Sequence, residues 1–284
     1  MRDRSTEPDL HGKVVLLTGA SGGLGGVLAR RLADHGATLV LTGRRAERLE
    51  KLAAEITSRG VAVHVIPADL SSPPDIEALL TKVGREVGAI DVLVSNAGVE
   101  YYGSYARNDV GELEETITTN LIGPMTLVRA VLPGMLVRGT GRIVLMSSIS
   151  GKAPNPYGAA YAASKAGLVG LSGSLRTELA GTGVSCSVIC PAFVTDVEDG
   201  MFIRIQREGL PTPPGMVGVA PASRCADGVL RVLRTGEPEI IVSNKPLRLM
   251  LAAAILWPSL AERVLSKAGV PEYFKKLSAI RGRL

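Results

Sequence analysis

The stretch Tyr161-Ala162-Ala163-Ser164-Lys165 sets a phenol four residues before an ammonium. On a helix that spacing stacks both side chains on one face. A phenol with an ordinary pKa of roughly 10 is a poor proton shuttle at neutral pH. A cation fixed beside it favours the phenolate, and closing a gap of about three pKa units is worth roughly 4 kcal/mol. On its own such a pair is more often a surface tyrosine beside a solvated lysine. A second stretch far upstream changes the reading: Thr18-Gly19-Ala20-Ser21-Gly22-Gly23-Leu24-Gly25, between an apolar run and a helical pattern. One stretch points to a dinucleotide site and the other to an acid/base, and each supplies what the other lacks.

The elements that must position them alternate along the chain. Val14-Val15-Leu16-Leu17 reads as a buried strand, and Leu24, Val27, Leu28 and Leu32 follow at helical spacing. Further strands are expected at Leu39–Leu41, Val63–Ile66, Val92–Val94, Ile143–Met146, Val184–Cys190 and Glu239–Val242. Between them the spacing predicts helices over Arg45–Ser58, Pro73–Val87, Asp109–Arg138 (with Pro133 as a kink or end), Tyr157–Leu179 and Ala222–Arg234. Strands that are apolar without polar alternation belong to a parallel sheet covered on both faces. Strict βα alternation then predicts an α/β, doubly wound Rossmann fold with a seven-stranded parallel sheet and right-handed crossovers. Residues 1–244 read as one catalytic domain with a substrate lid at about 196–221, and 245–284 as a helical extension of it.

The glycine loop must turn sharply and let a helix pack closely on the first strand, which Gly19 and Gly25 allow. Gly23 leaves a side chain out where a pyrophosphate approaches the free N–H groups of the helix N-terminus. Its place between a strand and a helix, inside a βαβ unit, gives the motif its weight. The second strand ends Thr42-Gly43-Arg44-Arg45, with no acid for a ribose 2′-hydroxyl and two guanidiniums for a 2′-phosphate. NADPH/NADP+ is therefore expected over NAD. Ser95-Asn96-Ala97-Gly98 closes strand four with small residues beside the adenosine, and Asp69, at the end of strand three, is expected to accept from the adenine amino group.

Together these residues resemble the short-chain dehydrogenase/reductase family, NADP-preferring type. The matching pieces are TGASGGLG, Asp69-Leu70, SNAG, Asn120 in TNLIG, Ser148 in MSSISG, YAASK and Pro191 in CPAFVTD, in the family's order from about Lys13 to Val242. The resemblance implies a catalytic tetrad of Asn120, Ser148, Tyr161 and Lys165. It also implies cofactor contacts from Gly19, Ser21, Gly23, Leu24, Gly25, Arg44, Arg45, Asp69, Leu70, Asn96, Ala97, Gly98, Tyr161, Lys165, Pro191 and Val194. Ser148 would orient a substrate carbonyl, Tyr161 would move the proton, and Lys165 would lower the tyrosine pKa and bind the nicotinamide ribose. Asn120 would extend the proton path through a water held at a helix distortion. A homodimer or homotetramer is implied too. Two positions depart from the family pattern: Ala192 follows Pro191 where Gly is usual, and Asp196 stands where Thr is frequent.

In the lid, Met201, Phe202, Ile203 and Ile205 precede Pro211, Pro213 and Pro214. With Val99, Tyr101, Tyr102 and Ala153–Tyr157 facing them, they predict apolar walls and a small lipophilic ketone or secondary alcohol as substrate. The alternatives are an acyl-thioester 3-ketoreductase of lipid synthesis and a non-catalytic NADP-sensing protein. No metal site is expected, because Cys186, Cys190 and Cys225 lack His partners at ligand spacing and read as buried thiols of a reducing cytoplasm.

Of the net charge of +5, the tail from Lys245 carries eight basic residues against two acidic ones. The body is near neutral, which makes a nucleic-acid face a poor reading of it. No stretch has the roughly 20 apolar residues of a bilayer span, and the polar N-terminus has no signal-peptide core. Leu249–Trp257 is apolar all round. That pattern lacks the polar face of an interfacial helix, so packing on the enzyme with Trp257 shielded is expected. The alternative is peripheral membrane contact through this basic, apolar tail.

Overall fold

The computed structural model describes residues 8–197, 200–210 and 212–279. Pro211, Arg281 and Arg283 lie outside the described residues. Strands β1 (Val14–Thr18), β2 (Thr38–Thr42), β3 (Val63–Val65), β4 (Val92–Ser95), β5 (Gly141–Met146), β6 (Val184–Pro191) and β9 (Glu239–Val242) form one sheet. Its order is β3-β2-β1-β4-β5-β6-β9, with every pairing parallel. A short parallel pair, β7 (Phe193–Val194) with β8 (Val219–Ala220), stands apart from it.

Residues alternate between two cores because successive strand side chains point to opposite faces. Val15, Leu17, Leu39 and Leu41 bury against α1 (Gly23–Ala33), α2 (Ala46–Thr57) and α8 (Ala222–Thr235). Leu16, Val40 and Leu93 bury against α3 (Pro73–Glu86), α5 (Gly123–Arg138) and α6 (Ala159–Glu178). That double coverage explains why the strands read as unbroken apolar runs. Ser72 caps α3 by accepting from the Asp75 N–H, and prolines follow at its first turn.

The chain leaves β1 towards β2 and β3 and later returns to place β4 on the other side. At such a switch point the loops after two adjacent strands diverge and open a crevice at their carboxyl ends. Here these are the glycine loop after β1 and the Asn96-Ala97-Gly98 turn after β4.

The expected long helix runs from Val110 to Arg138 and carries a distortion at Asn120, as expected: a π-helical turn, Thr118–Ile122, between α4 (Val110–Ile117) and α5. Three local readings are corrected. Pro133 lies inside α5, which runs on until Gly139 adopts a left-handed cap at φ 65°. Tyr157 does not open α6: its own φ is 63°, and the helix starts at Ala159. Strand β3 stops at Val65, so Asp69 sits in the loop beyond it rather than at its end.

The extension forms three helices, α9 (Leu247–Leu256), α10 (Pro258–Lys267) and α11 (Val270–Ala279). In α11, Val270, Tyr273, Phe274 and Leu277 bury against Tyr102 and against Ile205 of the lid helix α7 (Met201–Arg207). Phe274 stacks on Tyr102 at 5.7 Å and meets Phe193 at 6.2 Å. Leu247 and Leu251 of α9 also turn inward. The expectation of a shielded Trp257 is corrected, because it stands 59% exposed. Pro258 starts a new helix there, and the chain swings its apolar corner away from the body.

Candidate active site

One cleft of about 700 Å³ runs from the glycine loop past Tyr161 to the C-terminal helices. Its cofactor end is built from close backbone approaches. Gly19 holds φ 66°, and a Cβ there would lie 2.7 Å from the Ala97 backbone, so only glycine lets β1 and β4 meet. Thr18 clamps that junction, its hydroxyl accepting from the Asn96 and Ala97 N–H groups at 2.9 and 3.0 Å. The Asn96 amide donates back to the Thr18 carbonyl at 3.1 Å. A Cβ on Gly25 would collide with the Gly19 carbonyl, which ties α1 closely to the loop. The space beside Gly23, reserved above for a pyrophosphate, is where the lid residue Val197 packs. The segment after β7 and the glycine loop therefore touch.

All the residues expected to contact a cofactor line this cleft: Gly19, Ser21, Gly23, Leu24 and Gly25 from the loop, Arg44 and Arg45 after β2, and Asp69 and Leu70 beyond β3. Asn96, Ala97, Gly98, Tyr161, Lys165, Pro191 and Val194 complete them. Thr42 is fully buried, and a Cβ on Gly43 would lie 2.8 Å from the Ser21 hydroxyl. No acid can project from either place without displacing a neighbour. Arg44 donates to Glu115 at 2.8 Å and Arg45 to the Ser21 carbonyl at 2.8 Å. Each guanidinium has five donors and is not exhausted by one such bond. Asp69 spends one oxygen on the Ser71 N–H and hydroxyl, at 2.9 and 2.8 Å, and so also serves as a turn residue. The donor set and the glycine cradle fit a dinucleotide with a 2′-phosphate.

At the reacting end, Ser148 ends the run after β5, and its hydroxyl accepts from the Ser150 N–H at 3.1 Å. Ser147 points elsewhere, its hydroxyl donating to the Lys165 carbonyl at 2.8 Å. Asn120 lies in the π turn and is wholly buried. Its amide group exchanges hydrogen bonds with both backbone groups of Val99 at 2.8 Å and donates to Ser164 at 3.1 Å. The side chain thus pins the turn after β4 to α6, with both of its amide hydrogens engaged.

The electrostatics differ from the expectation for Tyr161. Burial pushes the phenol well above its ordinary range, the negative charge of Glu100 adds to this, and the facing Ser148 hydroxyl opposes it. The Lys165 ammonium lies 5.6 Å from the Tyr161 ring centre and donates to the Met146 carbonyl at 2.8 Å. Desolvation lowers Lys165 itself to about 8, against the pull of Glu100.

Glu100 escaped the sequence reading. It lines the cleft, accepts from the Tyr102 hydroxyl at 2.5 Å, and is raised by burial, with Lys165 and Arg204 opposing. Its signal was present: a lone charge two residues beyond Gly98, at the cleft end of a buried strand. Asn155 is buried in the same wall, near Tyr102. Tyr101 turns away to donate to Glu115 at 2.5 Å, whereas Val99 and Tyr102 line the cleft. Asp196 accepts from the Ala222 N–H at 2.6 Å and holds the start of α8 instead of facing the cleft.

Comparison with known proteins places this geometry. The family model described as short chain dehydrogenase matches residues 13–203. The chain is 35% identical to the ketoacyl reductase HetN of Nostoc sp. (strain PCC 7120) over 272 residues, 94% of this chain and 93% of that protein. It is 38% identical to the oxidoreductase UcpA of Escherichia coli (strain K12), covering 77% of this chain and 84% of the other. Among solved structures, a metagenomic short-chain oxidoreductase in complex with NADP superposes with a TM-score of 0.70 at 34% identity, over 83% of this chain and 98% of that one. A variant of actinorhodin polyketide ketoreductase with NADPH gives 0.74 at 32% identity, over 81% and 95%. The fold and these likenesses agree: the chain belongs to the short chain dehydrogenase family and is an NAD(P)-dependent short-chain oxidoreductase.

Proposed function

We propose that the protein is an NADPH-dependent ketoreductase that reduces a lipophilic ketone to a secondary alcohol, with Tyr161 as the proton donor. The observation that carries this is a single cleft joining the glycine loop and the two arginines to Tyr161, and then to an apolar wall. Bound NADPH would supply the hydride. The protein's part is to hold and protonate the substrate. The Ser148 hydroxyl orients the carbonyl oxygen, and the Tyr161 hydroxyl gives that oxygen its proton as negative charge develops. An alkoxide is a stronger base than a phenolate, so a phenol kept neutral by burial still donates downhill. Asn120 holds the turn after β4 in register with α6, and Lys165 keeps its ammonium in the same cleft, 5.6 Å from the Tyr161 ring centre.

Met201, Met216, Phe193, Leu251 and Phe274 give the substrate end its apolar character, and Glu100 with Asn155 gives it one polar corner. A ketone with a long apolar body suits such a wall. A 3-ketoacyl thioester is the second reading, favoured by likeness to a ketoacyl reductase over nearly the whole chain. Assembly as a homodimer or homotetramer belongs to the proposal, and the exposed Ile122, Met125, Leu136 and Val137 on and beside α5 give it a surface.

Two measurements test the cofactor site. Replacing Arg44 and Arg45 by neutral residues should weaken NADPH tens- to hundredfold per residue while NADH changes little, as charge-assisted bonds of about 1.5–3 kcal/mol are lost. Equal effects on both coenzymes would reject the 2′-phosphate assignment.

NADPH affinity should also fall as pH rises through about 8. Below that value Lys165 is an ammonium that can donate to ribose hydroxyls, and above it the free enzyme must first take up a proton. Lys165→Met should bind more weakly and lack this step. Fluorescence titration of NADPH over a pH series reads both, and an identical step in the variant would assign the titration elsewhere.

A further inference from the structure

Exposed apolar side chains concentrate in one stretch of the fold. Of the thirteen large hydrophobic residues exposed among the described residues, seven lie between Leu249 and Val264. Leu249 and Leu256 are two turns apart on α9, and Leu260 and Val264 are one turn apart on α10. Trp257 stands at the corner where the two helices meet, with Ile255 beside it, 70% exposed. A patch of this kind marks a surface that something else covers.

We propose that α9 and α10 dock on a bilayer containing anionic lipid, lying in its interface with Trp257 at headgroup depth. Three observations select that occupant. Arg248, Arg263 and Lys267 are exposed on the same two helices, and Lys275 and Lys276 on the adjoining α11, against Glu262 and Glu272. A two-fold contact of the face with a second copy would bring one cationic surface against another. A negative lipid surface complements them instead.

Next, α10 supplies the polar side that α9 lacks: Ser259, Glu262, Arg263, Ser266 and Lys267 are exposed around the Leu260–Val264 stripe. The pair together is amphipathic, as an interfacial element must be, and α9 at ten residues is too short to span. Finally, the inward sides of the same helices belong to the cleft, through Leu247, Met250, Leu251 and Leu265. A bilayer seated on the outer side would lie one helix thickness from the substrate wall. The inference does not depend on which carbonyl compound is reduced.

The test uses the full chain and vesicles of phosphatidylcholine with or without phosphatidylglycerol. Vesicles with the anionic lipid should sediment the protein and shift the emission of Trp257, its single tryptophan, to the blue. Neutral vesicles, or high salt, should weaken binding at least about tenfold. Leu256→Asp with Leu260→Asp should abolish binding while turnover of a water-soluble ketone is unchanged, since neither residue lines the cleft. Arg263→Glu with Lys267→Glu should lose the preference for anionic lipid. Absence of vesicle binding by the wild-type chain overturns the proposal. So does a fall in native mass of the Leu256/Leu260 variant without lipid, which would make the face a contact between copies. Loss of ketone turnover with lipid binding intact would count against the functional reading and leave this one standing.

Discussion

Tyr161→Phe is expected to lower the rate of carbonyl reduction by about 10²- to 10⁴-fold while NADPH still binds, because only the transferable proton is removed. Near-normal turnover in that variant would refute the assignment of the proton donor. The direction of the tyrosine shift adds a pH dependence. With the phenol raised by burial and by Glu100, reduction starts from the protonated form and should stay level through neutral pH. Oxidation of the alcohol requires the phenolate, so its rate should climb as pH rises and reach no plateau at neutral pH. Glu100→Gln removes a negative charge that holds the proton on Tyr161, and should move that climb to lower pH. A pH–rate profile of alcohol oxidation in both proteins measures this, and superimposable profiles would remove Glu100 from the electrostatics of the site.

The alternation of apolar runs and amphipathic helices made the parallel sheet legible, because each strand is buried on both faces and each helix on one. The cleft residues after β1, β2 and β4 were legible for a related reason. Turns that bring backbone against backbone demand glycine and other small residues, and these stand out in a sequence. What escaped depends on direction in space. Lys165 has the right spacing from Tyr161, but its ammonium is turned to the Met146 carbonyl, and spacing cannot report where a flexible side chain ends. Glu100 was a single charge with no opposite charge near it in sequence; Lys165 and Arg204, which oppose its rise, come from α6 and α7. The β7–β8 pair has two residues per strand, too few to show a period. In the tail, composition announced an apolar helix but not which side of it would be covered. That depended on α11, whose Tyr273 and Phe274 take the place on the body.

Phe274→Ala should be strongly destabilising, although the residue lies in the extension and not in the main sheet. The ring is 5% exposed, stacks on Tyr102 and touches Phe193 and Tyr273. Truncating such a ring costs about 3–5 kcal/mol, the lost transfer energy plus the cavity left behind. For a chain of this size that corresponds to a fall in melting temperature on the order of 10 °C. Because Phe274 also forms part of the cleft wall, KM for an apolar ketone should rise in a fraction that remains folded. Leu249→Ala, at a residue 82% exposed, is the matched control and should leave both quantities near wild type. Truncation after Val242 should behave as an extreme of Phe274→Ala, giving insoluble or poorly active protein, since it uncovers Tyr102, Phe193 and Ile205 together. If the truncated chain were instead soluble and fully active, α11 would be an appendage rather than a wall of the pocket. If Leu249→Ala destabilised as much as Phe274→Ala, the division of the extension into a packed inner side and an unpartnered outer side would be wrong.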